Sequence, residues 1–153
     1  MSRIAARLAE LGLTLPEPAR PVATYVPYRV VGKEVWVSMQ GSVSGERRYL
    51  GKLGAGLGLE EGNEAARLAF LNVLAQLREA AGGDLDRIAG LIRLTGFIAS
   101  TPDFTDHAQV MNGASDLAVA ILGEAGRHTR STLGVAALPL DFAVGIDAVA
   151  LLA

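Results

Sequence analysis

The sequence predicts an α+β subunit: one mixed β-sheet with two main helices on one face, preceded by an extra N-terminal helix. Three observations lead there. Two long segments repeat apolar residues at helical spacing. Several shorter segments have strand character. The two kinds follow one another as β-β-α-β-α-β-β, which suits one sheet with its helices gathered on a single side. The final strands are too apolar for a solvated face, so other copies of the chain are expected to cover the opposite side of the sheet.

Residues 2–12 form the first helix, since Ile4, Leu8 and Leu11 fall at helical spacing and Gly12 stops it. The prolines of LPEPARP (15–21) make that stretch a linker. Residues 1–21 are therefore read as helix and linker, and 22–153 as the α+β domain. ATYVPYRVV (23–31) and KEVWVSMQG (33–41) read as a hairpin turning at Gly32–Lys33. The Gly-rich segment 42–62 reads as a long loop, and it lacks the GK[ST] of a phosphate loop. The clearest element is the helix from Glu60 to about Ala81. Ala66, Phe70, Val73 and Leu77 form its stripe, Leu74 and Ala81 widen it, and Glu60, Glu61 and Glu64 suit the positive end of its dipole. Gly82–Gly83 ends it. RIAGLIRLTGFIAS (87–100) follows as a strand whose continuous apolar character predicts burial on both faces. The second main helix carries Val110, Ala114, Leu117 and Ile121 on one side and closes at Gly123 and Gly126. RSTLGVAAL (130–138) and AVGIDAVALL (143–152) complete the sheet, joined by PLDF.

The chain of 153 residues suits one core. Its net charge is −2 and its basic residues are scattered, so no nucleic-acid footprint is visible. The absence of Cys excludes disulfides, thiolate nucleophiles and Cys-based zinc sites, and two histidines without an acidic motif do not make a metal site. No cofactor is expected. Arg3, Arg7 and Glu10 stand where a signal peptide needs its apolar core, and no apolar run approaches the ~20 residues of a membrane span. A cytoplasmic protein with no membrane partner is the expectation.

The candidate chemistry lies in the last two strands. If Leu138 pairs with Ala143 in a short hairpin, Arg130, Thr132 and Gly134 share a face with Gly145 and Asp147; a one-residue slip inverts the second strand. Such a face, polar among small residues, is a cleft wall. Arg130 is then either a solvated strand end or a receptor for a carboxylate. Asp147 would sit roughly 13 Å along from it, too far for a salt bridge, and is otherwise an edge or interface residue. His128 reads as a satisfied surface or interface residue and His107 as exposed. Tyr25, Tyr28 and Trp36 are packing residues or the lining of a pocket.

RSTLGVAALP followed by VGIDAVA resembles the RidA (YjgF) superfamily, also labelled endoribonuclease L-PSP or translation inhibitor. VWVSMQG is similar to the family's SGQ strand, LNVLAQLREAAGGDLDRIAGLIRLTGFIAS to its central helix and next strand, and VMNGAS to the start of its second helix. The likeness covers residues 22–152 and places the chain in a divergent branch. It implies a chorismate mutase-like subunit, a homotrimer, and clefts between subunits that bind small 2-imino or 2-keto carboxylates. In active relatives, water hydrolyses the imine to a keto acid and ammonia. By this resemblance Arg130 receives the carboxylate, and Tyr25, Ser38, Asn112 and Thr132 line the cleft. Two departures stand out: Met39 replaces the Gly of SGQ, and Gly145 replaces the Glu that positions the attacking water. Asp147 matches a second Glu and is a weak substitute. The expectation is an imine deaminase with weakened activity; the alternatives are a non-catalytic carboxylate-binding trimer and, last, the ribonuclease of the family label.

Overall fold

The computed structural model describes residues 2–153. Its elements are α1 (Arg3–Glu10), β1 (Tyr28–Val31), β2 (Glu34–Gly41), the short β3 (Val43–Ser44), β4 (Arg47–Arg48), β5 (Lys52–Leu53) and β6 (Gly56–Leu57), then α2 (Leu59–Ala80), β7 (Ile88–Ala99), α3 (His107–Leu122), β8 (Thr129–Val135) and β9 (Val144–Leu152). A five-stranded mixed sheet in the order β1-β2-β9-β7-β8 carries α2 and α3 on one face. The segment expected to be a plain loop holds four two-residue strands, and the strand expected from residue 23 begins only at Tyr28. No helix among the described residues is long and apolar enough to cross a membrane.

Helix α2 is buried on more sides than its stripe predicts. From Ala65 to Leu77 every residue except Arg67 is buried. The sheet and α3 cover two sides, and the end of β2, β3 and the linker at Ala19 are tied to it through polar anchors. Asn72 Nδ2 donates to the carbonyls of Gly41 (3.0 Å) and Val43 (2.9 Å), and Gln76 Nε2 donates to Ala19 O at 2.7 Å. The N-terminal helix also joins the core through Ile4 and Leu8. Asp86, in the turn before β7, accepts from the backbone N–H of Arg3 and Ile4 at 2.8 Å each and so closes the free amide end of α1. These bonds to Ile4 first, then Arg3, hold the Asp86 carboxyl below its ordinary pKa.

The last two strands do not form the expected hairpin. β7 lies between them, parallel to β8 and antiparallel to β9. Reaching past the intervening strand means spanning about 10 Å, whereas a tight hairpin spans about half that. Here Ala136–Leu138 and Ala143 join PLDF outside both strands and lengthen the crossing. Leu140 and Asp141 turn it with φ of 56° and 63°.

This order also separates the faces. Arg130 pairs with Leu94 and Leu94 with Ala148; Thr132 pairs with Gly96 and Gly96 with Ile146. Leu94, Ile146 and Ala148 lie beneath the helices, so Arg130 and Thr132 share the helix side. Asp147 pairs with Thr95, and Thr95 with Ser131; Gly145 pairs with Phe97, and Phe97 with Leu133. Gly145 and Asp147 are therefore on the opposite face from Arg130, not on the same one as expected. β7 alternates accordingly: Leu91, Leu94 and Ile98 are buried, while Arg93, Thr95 and Phe97 are only half-buried, so burial on both faces does not hold within one chain. The open face exposes Trp36, Leu133 and Leu151 around a polar centre in which Arg93 Nη2 donates to Ser131 Oγ at 2.5 Å.

Burial pushes the Asp147 carboxyl above its ordinary pKa, with partial relief from Thr95 and Arg93. The folded state therefore disfavours the charged form, a cost present above the ordinary carboxylate pKa and absent once the group is protonated in both states. Asp147→Asn should raise the melting temperature at pH 7, and the difference from wild type should close as the pH falls below about 4. Thermal melts across this range measure it; a gain that persists undiminished at pH 3 would mean that charge is not its origin.

Candidate functional site

Arg130 projects from the outer strand β8 toward α3. Its Nη1 donates to Asn112 Oδ1 at 3.0 Å and to Ser115 Oγ at 3.1 Å, and Nη2 reaches Ala108 O at 3.5 Å. Asn112 and Ser115 meet it because they lie three residues apart on one side of α3. His128 supports the same network. Its Nδ1 stands 2.6 Å from Gly126 O, which can only accept, so Nδ1 carries the proton. In the neutral ring Nε2 then accepts from Ser115 Oγ at 2.9 Å, and the freed lone pairs of Ser115 face Arg130. The expectation of a satisfied His128 agrees with these bonds.

A guanidinium has five N–H donors, and these contacts engage three. The Nε–H and one Nη2–H keep a fork free of protein partners among the described residues. No carboxylate there forms an ion pair with Arg130. A partly buried cation held by neutral groups, with an open fork, suits a bidentate anion.

Thr132 continues the same face of β8. Its Oγ1 is buried and has no hydrogen-bond partner among the described residues. Beyond it lies Gly134. A Cβ on Gly134 would collide with His107 Nε2 and stand 2.6 Å from Ser100 Oγ. His107 is not the exposed residue expected: it is half-buried, its Nε2 lies 3.0 Å from Ser100 Oγ, and Phe104 meets its ring edge-on. Ser100, His107, Phe104 and Gly134 line a cavity of about 330 Å³. Sequence reasoning missed this pair. Its members come from the end of β7 and the start of α3, and the one available signal was a Ser and a His flanking the turn TPDFTD.

Tyr25 and Met39 lie elsewhere. They line a mostly apolar cavity of about 240 Å³ together with Val22, Pro27, Leu140 and Phe142. Leu140 stands exposed at its rim in the left-handed backbone region that non-glycine residues rarely adopt. Ser38 is committed within this region, its Oγ donating to Val26 O at 2.7 Å. Met39 falls in an irregular stretch where the β2–β9 register shifts between Val37 and Gln40. Its side chain lies against Gly145: a Cβ there would stand 2.5 Å from Met39 Sδ and 2.9 Å from Met39 Cγ. The two departures noted in the sequence are thus one packing event, in which methionine fills the room of the absent side chain. The structure gathers Arg130, Asn112 and Thr132 in one cluster and Tyr25, Ser38, Met39 and Gly145 around another. Asp147 belongs to the polar centre of the open sheet face with Thr95 and Arg93.

The family profile described as "YjgF/chorismate mutase-like, putative endoribonuclease" matches residues 5–151. Protein TCP17 of Trypanosoma cruzi is 45% identical over 150 residues, covering 95% of this chain and 92% of that protein. The crystal structure of a protein of unknown function from Agrobacterium tumefaciens aligns with a TM-score of 0.92 at 41% identity, over 98% of this chain and 92% of that one. Escherichia coli TdcF, solved with bound serine, aligns with a TM-score of 0.65 at 26% identity, over 92% of this chain and 96% of that one. With its sheet order, its helices on one face and this profile over nearly its whole length, the chain belongs to the YjgF/chorismate mutase-like family, within the RidA/YjgF superfamily.

Proposed function

We propose that the protein binds small 2-imino or 2-keto carboxylates in clefts between the subunits of a homotrimer, and that it hydrolyses the imines slowly. The observation that carries this reading is the open fork of Arg130, a cation with neutral partners and no ion pair among the described residues. The serine bound to TdcF, itself a small carboxylate, is in keeping with it. Trimer formation has separate support. Trp36, Leu133 and Leu151 expose apolar surface on the open sheet face, and the residues proposed for one cleft fall into two clusters of the single chain. A cleft between neighbours brings one subunit's Arg130 cluster toward another's Tyr25–Met39 cavity.

The activity is slow because the acid/base side chain is missing. Gly145 offers no group to hold water, and Met39 occupies the space in which one would stand. A second reading, a trimer that binds carboxylates without turning them over, draws on this same contact. The ribonuclease of the family label gains no support from a net charge of −2 and scattered basic residues.

Three measurements test the reading. Sedimentation equilibrium at micromolar concentration should give about three times the monomer mass; a stable monomer removes the cleft. Calorimetry should detect 2-keto acid binding that weakens by about 1.5–3 kcal/mol in Arg130→Ala, the worth of a charge-assisted hydrogen bond. Unchanged affinity would make Arg130 a strand-end charge. For the chemistry, keto acid release from an enzymatically generated 2-imino acid should be compared in wild type, Gly145→Glu and the double variant with Met39→Gly. Glutamate alone meets the methionine side chain, so the gain should be largest in the double variant, up to about 10²–10⁴-fold. Trimers that bind ligand but gain no rate in either variant favour the non-catalytic reading.

A further inference from the structure

The cavity beside Arg130 holds charges of both signs. Ser115, Asp116, Val119, Arg127 and His128 line it together with Arg130, and its volume is about 270 Å³. That is just under the ~300–1,000 Å³ of pockets for drug-sized molecules, so it suits a smaller ligand. His128 spends both ring nitrogens on Gly126 O and Ser115 Oγ. Arg127 donates from Nε to Glu124 Oε1 at 3.0 Å, in an ion pair whose two side chains are mostly exposed. Asp116 is exposed and forms no ion pair among the described residues, although two arginines share its cavity.

Helix α3 brings Asp116 to this place. Arg130 Nη1 donates to Asn112 Oδ1 at 3.0 Å and to Ser115 Oγ at 3.1 Å. Asp116 follows Ser115 directly and lies one helical turn beyond Asn112, at a position whose Cβ is about 5–6 Å from that of Asn112. The guanidinium stays bound to neutral groups, so two opposite charges border one small cavity without meeting. A molecule with an acid group and a cationic nitrogen separated by one carbon reaches both kinds of receptor. Two charged hydrogen bonds of about 2.8 Å and the molecule between them span at most about 8 Å.

We propose that Asp116 receives the cationic nitrogen of a small carboxylate held by Arg130, so that the site prefers 2-amino and 2-iminium acids to the matching 2-keto acids. The proposal rests on the carboxylate-binding reading above and names the residue that sets its specificity. An ammonium or iminium group donates N–H to the Asp116 carboxylate. A keto oxygen has no hydrogen to donate and turns its own lone pairs toward the same negative oxygens. One carboxylate thus attracts the nitrogen-bearing acid and repels the keto acid that replaces it.

The experiment measures binding of L-serine and of 3-hydroxypyruvate by calorimetry at pH 7. The two probes share every group except the one at C2. Full-length wild type, Asp116→Asn and Arg130→Ala are compared. Wild type should bind L-serine more tightly than 3-hydroxypyruvate. Asp116→Asn should weaken L-serine by about 5–10-fold, the low end for a charged hydrogen bond because the residue is exposed, and should not weaken 3-hydroxypyruvate. Retained keto acid binding shows that the fold and the Arg130 receptor are intact in that variant. Arg130→Ala should weaken both probes. If wild type binds 3-hydroxypyruvate but shows no preference for L-serine, or if Asp116→Asn keeps the same preference, the proposal is overturned while the carboxylate-binding reading stands. It is overturned in the same way if Asp116→Asn weakens both probes alike, which marks a general effect on the cavity. If wild type binds neither probe, or Arg130→Ala leaves both affinities intact, the carboxylate-binding reading fails and the role of Asp116 falls with it.

Discussion

The all-round burial of α2 is the constraint from which the rest of the architecture follows. A helix apolar on one side needs one partner; one buried from Ala65 to Leu77 needs several. The sheet and α3 supply two. The remaining side is met by the end of β2, by β3 and by the linker at Ala19, whose free carbonyls must be satisfied where they meet the helix. Asn72 and Gln76 meet that need inside an otherwise apolar surface. By drawing in the carbonyls of Gly41, Val43 and Ala19, they also fix two walls of the Tyr25–Met39 cavity. The core thereby sets the shape of a surface feature.

What could be read in advance follows from the range of each interaction. Helical stripes are local, and α2 and α3 stood where Ala66, Phe70 and Val110, Ala114 put them. Strand character is local too, but strand neighbours are not. Nothing in RSTLGVAAL or AVGIDAVALL says that β7 comes between them, and the brevity of PLDF pointed the other way. That single error moved Asp147 and Gly145 to the wrong face, because side chains alternate along a strand. Arg130 survived it. Its partners Asn112 and Ser115 come from α3, and Asn112 was accessible through the family resemblance. Ser100 and His107 had no such route: their meeting depends on the turn before α3 and on the bare backbone of Gly134.

The two clusters differ in chemistry. On the helix side, Arg130 is held by a chain of bonds through Ser115 and His128 to Gly126 O, which fixes the orientation of the cation. The cavity around Tyr25 and Met39, which reaches Asn72 of α2, offers mostly apolar walls.

The contact between Met39 and Gly145 also restricts how such a chain can change over generations. A glutamate arriving first at 145 meets a methionine already in its space and is penalised as overpacking. A glycine arriving first at 39 opens a void but collides with nothing. The route that avoids overpacking therefore runs through glycine at both positions, a chain with an empty notch. A hill of this kind isolates lineages: once methionine has settled over glycine, single substitutions lead back only through a poorer intermediate.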